Sequence, residues 1–258
     1  MTTSSNVHNT NEACCSIPPV QSDYAPKGTI KQYGSFNKVY ITGPEKSETK
    51  IVCVFDIFGF FPQTQQGADI VAGALNATVY MPDFFEPDAP FPAEKFPPKT
   101  DKDKADLQAF FGGPASPPKA IEKLTTFGRF LKTDGAKTLG AYGFCWGGKV
   151  TISAGATPDP FNSVAVVHPA MLSAADAEKL TVPLAIYISK DEPIDEYDKI
   201  LQIIRKKPFA AKCDHKKYAN MFHGFAAARA DLTKEDNRKE FEDVYAKLIR
   251  FFRNTLQS

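Results

Sequence analysis

Short, continuously apolar runs alternate with amphipathic segments along most of this chain, and this alternation is the strongest constraint on its fold. Apolar and β-branched runs of this kind predict strands that are buried on both faces of a sheet. They lie at 51–55, 78–81, 138–142, 161–167 and 184–189. Parallel strands need crossover helices that cover both faces of the sheet. The sequence therefore predicts a single-domain α/β fold with a mostly parallel, doubly wound sheet.

The remaining segments complete this pattern. Two short strands at 29–33 and 38–42 flank Gly34-Ser35 and predict a hairpin, and a more polar strand at 212–218 is expected near an edge. Apolar spacing predicts helices at 63–76, 101–111, 119–131, 149–156, 194–206 and 233–256. Residues 1–27, which include Cys14-Cys15, are expected to form an irregular leader that precedes the domain at 28–258.

One long segment, about 84–118, interrupts the alternation with closely spaced prolines and phenylalanines. Proline excludes regular structure over most of it. A long insertion of this kind inside a compact domain is usually a lid or a pocket wall, the alternative being a decorative insertion. We predict a Pro-rich cap.

Composition excludes several classes of function. A net charge of +1 and the lack of a basic stripe argue against nucleic-acid partners. No apolar run approaches the roughly 18 residues that a membrane span needs. Five cysteines, an odd number with no Cys-x-x-Cys pair, favour a reducing compartment, and the cytoplasm is the expected location. Neither a metal ion nor another cofactor is expected.

The segment Gly143-Phe144-Cys145-Trp146-Gly147-Gly148 stands between a predicted strand and a predicted helix. A residue held between glycines at such a turn is strained and presents its side chain as a nucleophile. A small core cysteine is the structural alternative. The segment also matches most of a phosphate-binding loop, but Val150 stands where that motif needs Ser or Thr for Mg²⁺. A cysteine nucleophile is therefore the preferred interpretation.

Ligands bind at the carboxyl ends of strands in open parallel sheets. Four polar residues follow predicted strands: Asp56, Cys145, Asp191 and His223. The last three appear in the order nucleophile, acid, histidine, which is typical of α/β-hydrolases. A carboxylate-held histidine accepts the thiol proton and later activates water.

Each assignment has rivals nearby in the sequence. His168 also ends a strand, but it precedes the acid and is followed by proline, so His223 is preferred as the base. Glu192 and Asp195 compete with Asp191, which is preferred because it follows the strand most closely.

Two main-chain N–H groups are predicted to form the oxyanion hole. One belongs to Trp146, the residue after the nucleophile. The other belongs to Ile57, in the loop after the 51–55 strand. Donors in these two places stabilise the charge that develops on the carbonyl oxygen.

The cysteine segment, preceded by Asp-Ile-Phe-Gly and followed by Lys-Asp-Glu-Pro and His-Gly-Phe, resembles the dienelactone hydrolase family of the α/β-hydrolase superfamily. The resemblance covers roughly residues 28–256. It implies a Cys145-His223-Asp191 triad that acts on a lactone or ester. It also implies that Asp56 contacts the resting thiol, at a position where the family often has Glu. The leader and the Pro-rich insert look like eukaryotic, fungal-type members.

The predicted protein is a cytoplasmic hydrolase, a monomer or small homo-oligomer, whose partner is a small ester or lactone. An apolar pocket suits an unsaturated ligand, and it is expected to be lined by Phe58, Phe60, Phe84, Phe85 and Trp146. Arg229, the first arginine after His223, is assigned to the same pocket. The alternatives are an esterase or thioesterase for other acyl groups, and a catalytically weak binding or thiol-redox protein on the same fold.

Overall fold

One eight-stranded sheet forms the centre of the structure, a computed structural model that describes residues 17–257. The strands are β1 (Thr29–Tyr33), β2 (Phe36–Thr42), β3 (Thr49–Val54), β4 (Thr78–Pro82), β5 (Thr138–Phe144), β6 (Ser163–Val167), β7 (Leu184–Ile188) and β8 (Asp214–Lys217). Their order across the sheet is β1-β2-β4-β3-β5-β6-β7-β8. β1 and β2 form an antiparallel hairpin, β2 pairs antiparallel with β4, and the other pairs are parallel.

Seven α-helices connect or follow these strands in the described part of the chain. They are α1 (Pro62–Leu75), α2 (Asp101–Gly112), α3 (Pro117–Thr133), α4 (Trp146–Ala154), α5 (Ala174–Glu178), α6 (Ile194–Ile204) and α7 (Glu235–Leu256). α1 packs against α7, whereas α3, α4, α5 and α6 pack in succession against one another. The helices thus cover both faces of the sheet, and the predicted doubly wound α/β fold is confirmed.

Most predicted elements are present with shifted ends. The polar strand β8 lies at the sheet edge, as expected. Helix α3 begins two residues earlier than predicted, because proline is tolerated in the first turn of a helix. Helix α4 begins at residue 146, not 149, directly after the cysteine. The short helix α5 was not predicted.

The Pro-rich insert contains one regular helix, as expected. Thr100 caps α2: its hydroxyl accepts the Asp103 N–H at 3.1 Å, and the Asp103 carboxylate accepts the Thr100 N–H at 2.9 Å. A short 3₁₀ turn at Ala93–Lys95 precedes it. Leu107, Phe110 and Phe111 of α2 are buried in the hydrophobic core.

The predicted leader is described only in part. Residues 17–27 have no helix or strand and lie along the domain, where Val20 donates its N–H to the Ala228 carbonyl at 2.9 Å. Tyr24 donates its hydroxyl to Asp69 at 2.7 Å. Cys14 and Cys15 lie outside the described residues.

Candidate active site

Cys145 occupies the turn between β5 and α4 in a conformation that is rare for a residue with a side chain. Its φ is 53° and its ψ is −118°. A non-glycine residue at positive φ carries strain, and such strain concentrates at functional sites. The Cys145 side chain is buried and stands at the amino terminus of α4, where the helix dipole favours negative charge. This geometry is that of a nucleophile elbow.

The glycines around Cys145 permit close main-chain contacts. A Cβ atom on Gly143 would lie 2.2 Å from the Gly147 carbonyl oxygen. A Cβ atom on Gly147 would lie 2.3 Å from the Val54 carbonyl oxygen, at the end of β3. These contacts seat the first turn of α4 directly on the end of the neighbouring strand.

His223, in the loop after β8, is buried and paired with Glu192. Its Nδ1 atom lies 2.6 Å from Oε1 of Glu192, and neither side chain is exposed. The second carboxylate oxygen of Glu192 accepts the Ser189 N–H. With Glu192 as the acceptor, the proton of this hydrogen bond lies on Nδ1 of His223.

The prediction that Asp191 holds the histidine ring is wrong. Its Oδ2 atom accepts the main-chain N–H of His223 at 2.8 Å, while the ring belongs to the next residue, Glu192. β7 ends at Ile188, and the turn that follows directs Asp191 to the main chain. The longer side chain of Glu192 reaches the imidazole. The sequence contained a signal for Glu192 as well, because Glu192 follows the same strand as Asp191.

Asp56 follows β3 and is buried. Its Oδ1 accepts the Phe58 N–H at 3.0 Å, and its Oδ2 accepts the Ala228 N–H at 3.3 Å. Burial raises the pKa of Asp56, while the Arg229 cation, the two N–H groups and His223 oppose that rise. Asp56 therefore joins the strand-end loop of β3 to the loop that carries His223. Its predicted contact with the thiol of Cys145 stays a prediction.

Arg229 is fully buried between two phenyl rings. Its guanidinium carbon lies 5.1 Å from the ring centre of Phe58 and 5.0 Å from that of Phe96. Its Nε donates to the Ile17 carbonyl. The aliphatic stem passes so close to Gly224 that a Cβ there would lie 2.6 Å from Arg229 Cδ. Arg229 thus adjoins the residue after His223.

The two predicted oxyanion donors lie on the expected loops. Trp146 is the first residue of α4, and its indole Nε1 donates to the Ala115 carbonyl at 2.8 Å. Ile57 is buried, and its carbonyl accepts the Phe91 N–H at 2.9 Å. The insert thus contacts both residues. Their service to an oxyanion stays a prediction.

Aromatic rings from the insert pack over this end of the sheet. Phe85 lies 4.9 Å from Trp146 and 5.0 Å from Phe110, measured between ring centres. Phe58 lies 5.2 Å from Phe96. Phe84 also adjoins Trp146, whereas the partly buried Phe60 packs on Phe55. Sequence reasoning did not assign Phe96 and Phe110, and the only signal for them was the phenylalanine-rich composition of the insert.

The described part of the chain offers neither a metal site nor a membrane-spanning helix. Among residues 17–257, no group of three or more His, Cys, Asp or Glu side chains is arranged to hold a metal ion. No helix in that part of the chain is long and apolar enough to cross a membrane.

Comparison with known proteins identifies a family and a fold. The model of the "Dienelactone hydrolase family" matches residues 38–256. An uncharacterized AIM2 family protein of Schizosaccharomyces pombe is 34% identical over 236 residues, which cover 90% of this chain and 93% of that protein. A carboxymethylenebutenolidase homolog of Xenopus tropicalis is 31% identical over 147 residues, 55% of each chain. The crystal structure of a putative dienelactone hydrolase from Klebsiella pneumoniae superposes with a TM-score of 0.66 at 15% identity, covering 88% of this chain and 98% of that one.

Proposed function

Because the chain belongs to the dienelactone hydrolase family, we propose that it hydrolyses a small lactone or carboxylic ester with Cys145 as the nucleophile. His223 is the general base, and Glu192, in place of the predicted Asp191, orients its ring. The observation that carries the proposal is the strained, positive-φ backbone of Cys145 at the start of α4, with φ of 53° and ψ of −118°. A buried His-Glu pair at the same end of the sheet supports it.

The first half-reaction forms an acyl-thioester. The Cys145 sulfur attacks the carbonyl carbon while its proton passes to Nε2 of His223. The main-chain N–H groups of Trp146 and Ile57 receive the oxyanion. The intermediate then collapses: the bond from carbon to the leaving oxygen breaks, and His223 returns the proton to that oxygen. In a lactone the released hydroxyl stays attached to the acyl group.

The second half-reaction releases the acid. Water attacks the thioester carbonyl and gives one proton to His223, and the same donors receive the second oxyanion. The carbon–sulfur bond breaks, and the proton on His223 restores the thiol. The net reaction adds one water across the ester bond, so it needs neither a redox partner nor a cofactor.

The aromatic surroundings support an apolar, unsaturated acyl group. Phe58, Phe84 and Phe85 are buried beside Trp146 or Arg229. Within the proposal Arg229 supplies the positive charge of the pocket. A panel that contrasts cyclic with linear esters, with and without a carboxylate, and oxygen esters with thioesters will separate lactonase from esterase and thioesterase activity.

Substitution of the nucleophile tests the proposal directly. Cys145→Ala should abolish hydrolysis of an activated aryl ester, and brief mixing with that ester should add the acyl mass to proteins that retain Cys145 and not to Cys145→Ala. Cys213→Ala is the matched control, because Cys213 lies half-buried just before β8. Undiminished turnover by Cys145→Ala would refute the proposal. We further propose that the reaction takes place in the cytoplasm and that the protein is a monomer or small homo-oligomer.

A further inference from the structure

His168 lies in a turn that holds the main chain of Cys145 on both sides. The Cys145 N–H donates to the Val167 carbonyl at 3.3 Å, and the Ala170 N–H donates to the Cys145 carbonyl at 2.8 Å. His168 stands between these two contacts at the end of β6, with a φ of 38°. The turn and the cysteine are thus two strained segments that support each other.

The ring of His168 faces the candidate base. Its centre lies 5.1 Å from the His223 ring centre, with the two planes at 64°. The ring centres of Phe144 and Phe225 lie 5.6 and 5.7 Å from that of His168. The His168 N–H donates to the Tyr187 carbonyl at 2.7 Å, on the strand that leads to Glu192. One buried residue therefore contacts the segments that carry the nucleophile, the base and the acid.

Packing alone does not require an imidazole at this place. The neighbouring rings of Phe144 and Phe225 would accept a phenyl ring of similar size. Burying a polar group costs free energy unless a polar interaction compensates it. Of these three neighbouring rings, that of His223 has the shortest centre-to-centre distance from His168, and it is the polar one.

We propose that His168 is a positioning residue, whose imidazole holds the His223 ring in the orientation that receives the Cys145 proton. The proposal rests on the hydrolytic function inferred above. Glu192 fixes one edge of the His223 ring, and His168 restrains its plane from the side. A displacement of a catalytic group by about 1 Å can cost on the order of 100-fold in rate.

Three substitutions separate a polar role from packing. His168→Phe keeps the ring volume and removes both nitrogens. His168→Gln and His168→Asn each keep a polar amide but pack less well. Because Gln adopts positive φ no more readily than Phe does, a difference between these two variants does not come from backbone strain. His215→Phe is the control, since His215 is exposed on β8 at the sheet edge. Urea unfolding curves identify the conditions in which every variant is folded, and the variants are compared there.

The expected result is a fall in kcat of roughly 10- to 100-fold for His168→Phe with KM nearly unchanged, and a smaller fall for at least one amide variant. A second measurement does not need turnover: the downfield proton resonance of the 2.6 Å His223–Glu192 hydrogen bond. It should broaden or vanish in His168→Phe and persist in the better amide variant. If His168→Phe retains kcat and the resonance, or exceeds both amide variants, the role is packing and the inference is overturned. The resonance could vanish in His168→Phe while Cys145→Ala still hydrolyses esters. That result would uphold the restraint of the His223 ring by His168 and refute the proposed function.

Discussion

Glu192 and His223 form a short, fully buried contact, 2.6 Å between Oε1 and Nδ1. The adjacent carboxylate, that of Asp191, binds the same histidine through its main-chain N–H at 2.8 Å. Two consecutive acids therefore hold one histidine, one by its ring and one by its backbone. Only the ring contact sets the tautomer in which Nε2 could accept a proton from Cys145, the proposed nucleophile.

This division predicts unequal effects for two conservative substitutions. Glu192→Gln should lower kcat/KM for an activated aryl ester by roughly 100- to 10,000-fold, because an amide nitrogen facing Nδ1 favours the wrong tautomer. Asp191→Asn should cost less than about tenfold, since the amide oxygen still accepts the His223 N–H. Steady-state kinetics on both variants, with circular dichroism as a folding control, measure the ratio. The reverse ranking would restore Asp191 as the orienting acid.

The electrostatic interaction between Arg229 and Asp56 predicts a measurable pH dependence of the free energy of unfolding. Arg229→Met removes the buried cation that lowers the pKa of Asp56, which burial raises. Leaving a buried charge without its partner costs about 3–5 kcal/mol. Above the pH at which Asp56 ionises, the variant should therefore lose about that much free energy of unfolding, as measured by urea titration.

The sign of the pH effect follows from proton binding. Between the ordinary pKa of an aspartate and the raised pKa of Asp56, the folded state binds more protons than the unfolded state, so stability falls as pH rises. Removing Arg229 raises this pKa further. The stability gap between wild type and Arg229→Met should therefore widen as pH rises through the Asp56 titration and narrow in acid. The double variant Asp56→Asn/Arg229→Met is the control, and its stability difference from Asp56→Asn should vary little over the same range.

The sequence predicts the sheet well because buried parallel strands are short, apolar and β-branched, which is a local property. The start of α4 is not local. Trp146-Gly147-Gly148 has poor helix propensity, and its helical conformation depends on contact with the end of β3. The choice between Asp191 and Glu192 depends on side-chain length and on the turn after β7. The contact of Arg229 with Ile17 joins residues far apart in the chain, and nothing in either segment alone indicates it.

Substitution by alanine should have opposite effects on stability at two helical glycines, Gly147 in α4 and Gly73 in α1. Gly147→Ala places a methyl group 2.3 Å from the Val54 carbonyl oxygen and 2.4 Å from that of Phe55. Main-chain atoms cannot turn aside, so a loss of about 1–3 kcal/mol is expected. Gly73→Ala, on the exposed side of α1, meets no atom within 4 Å. It should gain about 0.5–1 kcal/mol, because alanine favours helix. Urea unfolding compares the two, and a neutral Gly147→Ala would contradict the tight elbow.

The reactivity of Cys53 tests whether the protein has one dedicated nucleophilic cysteine or is a general thiol-redox protein. Its side chain is fully buried in β3, and burial raises its pKa to about 12. At neutral pH it is almost entirely protonated, and thiols react as thiolates. We expect iodoacetamide to leave Cys53 unlabelled in the native protein at pH 7.5 over a period that labels it fully in urea, as read by peptide mass spectrometry. Cys213 is half-buried with a raised pKa and serves as the internal reference, reacting slowly but before Cys53. Native labelling of Cys53 at the rate of Cys213, with no ester hydrolysis, would favour the thiol-redox alternative.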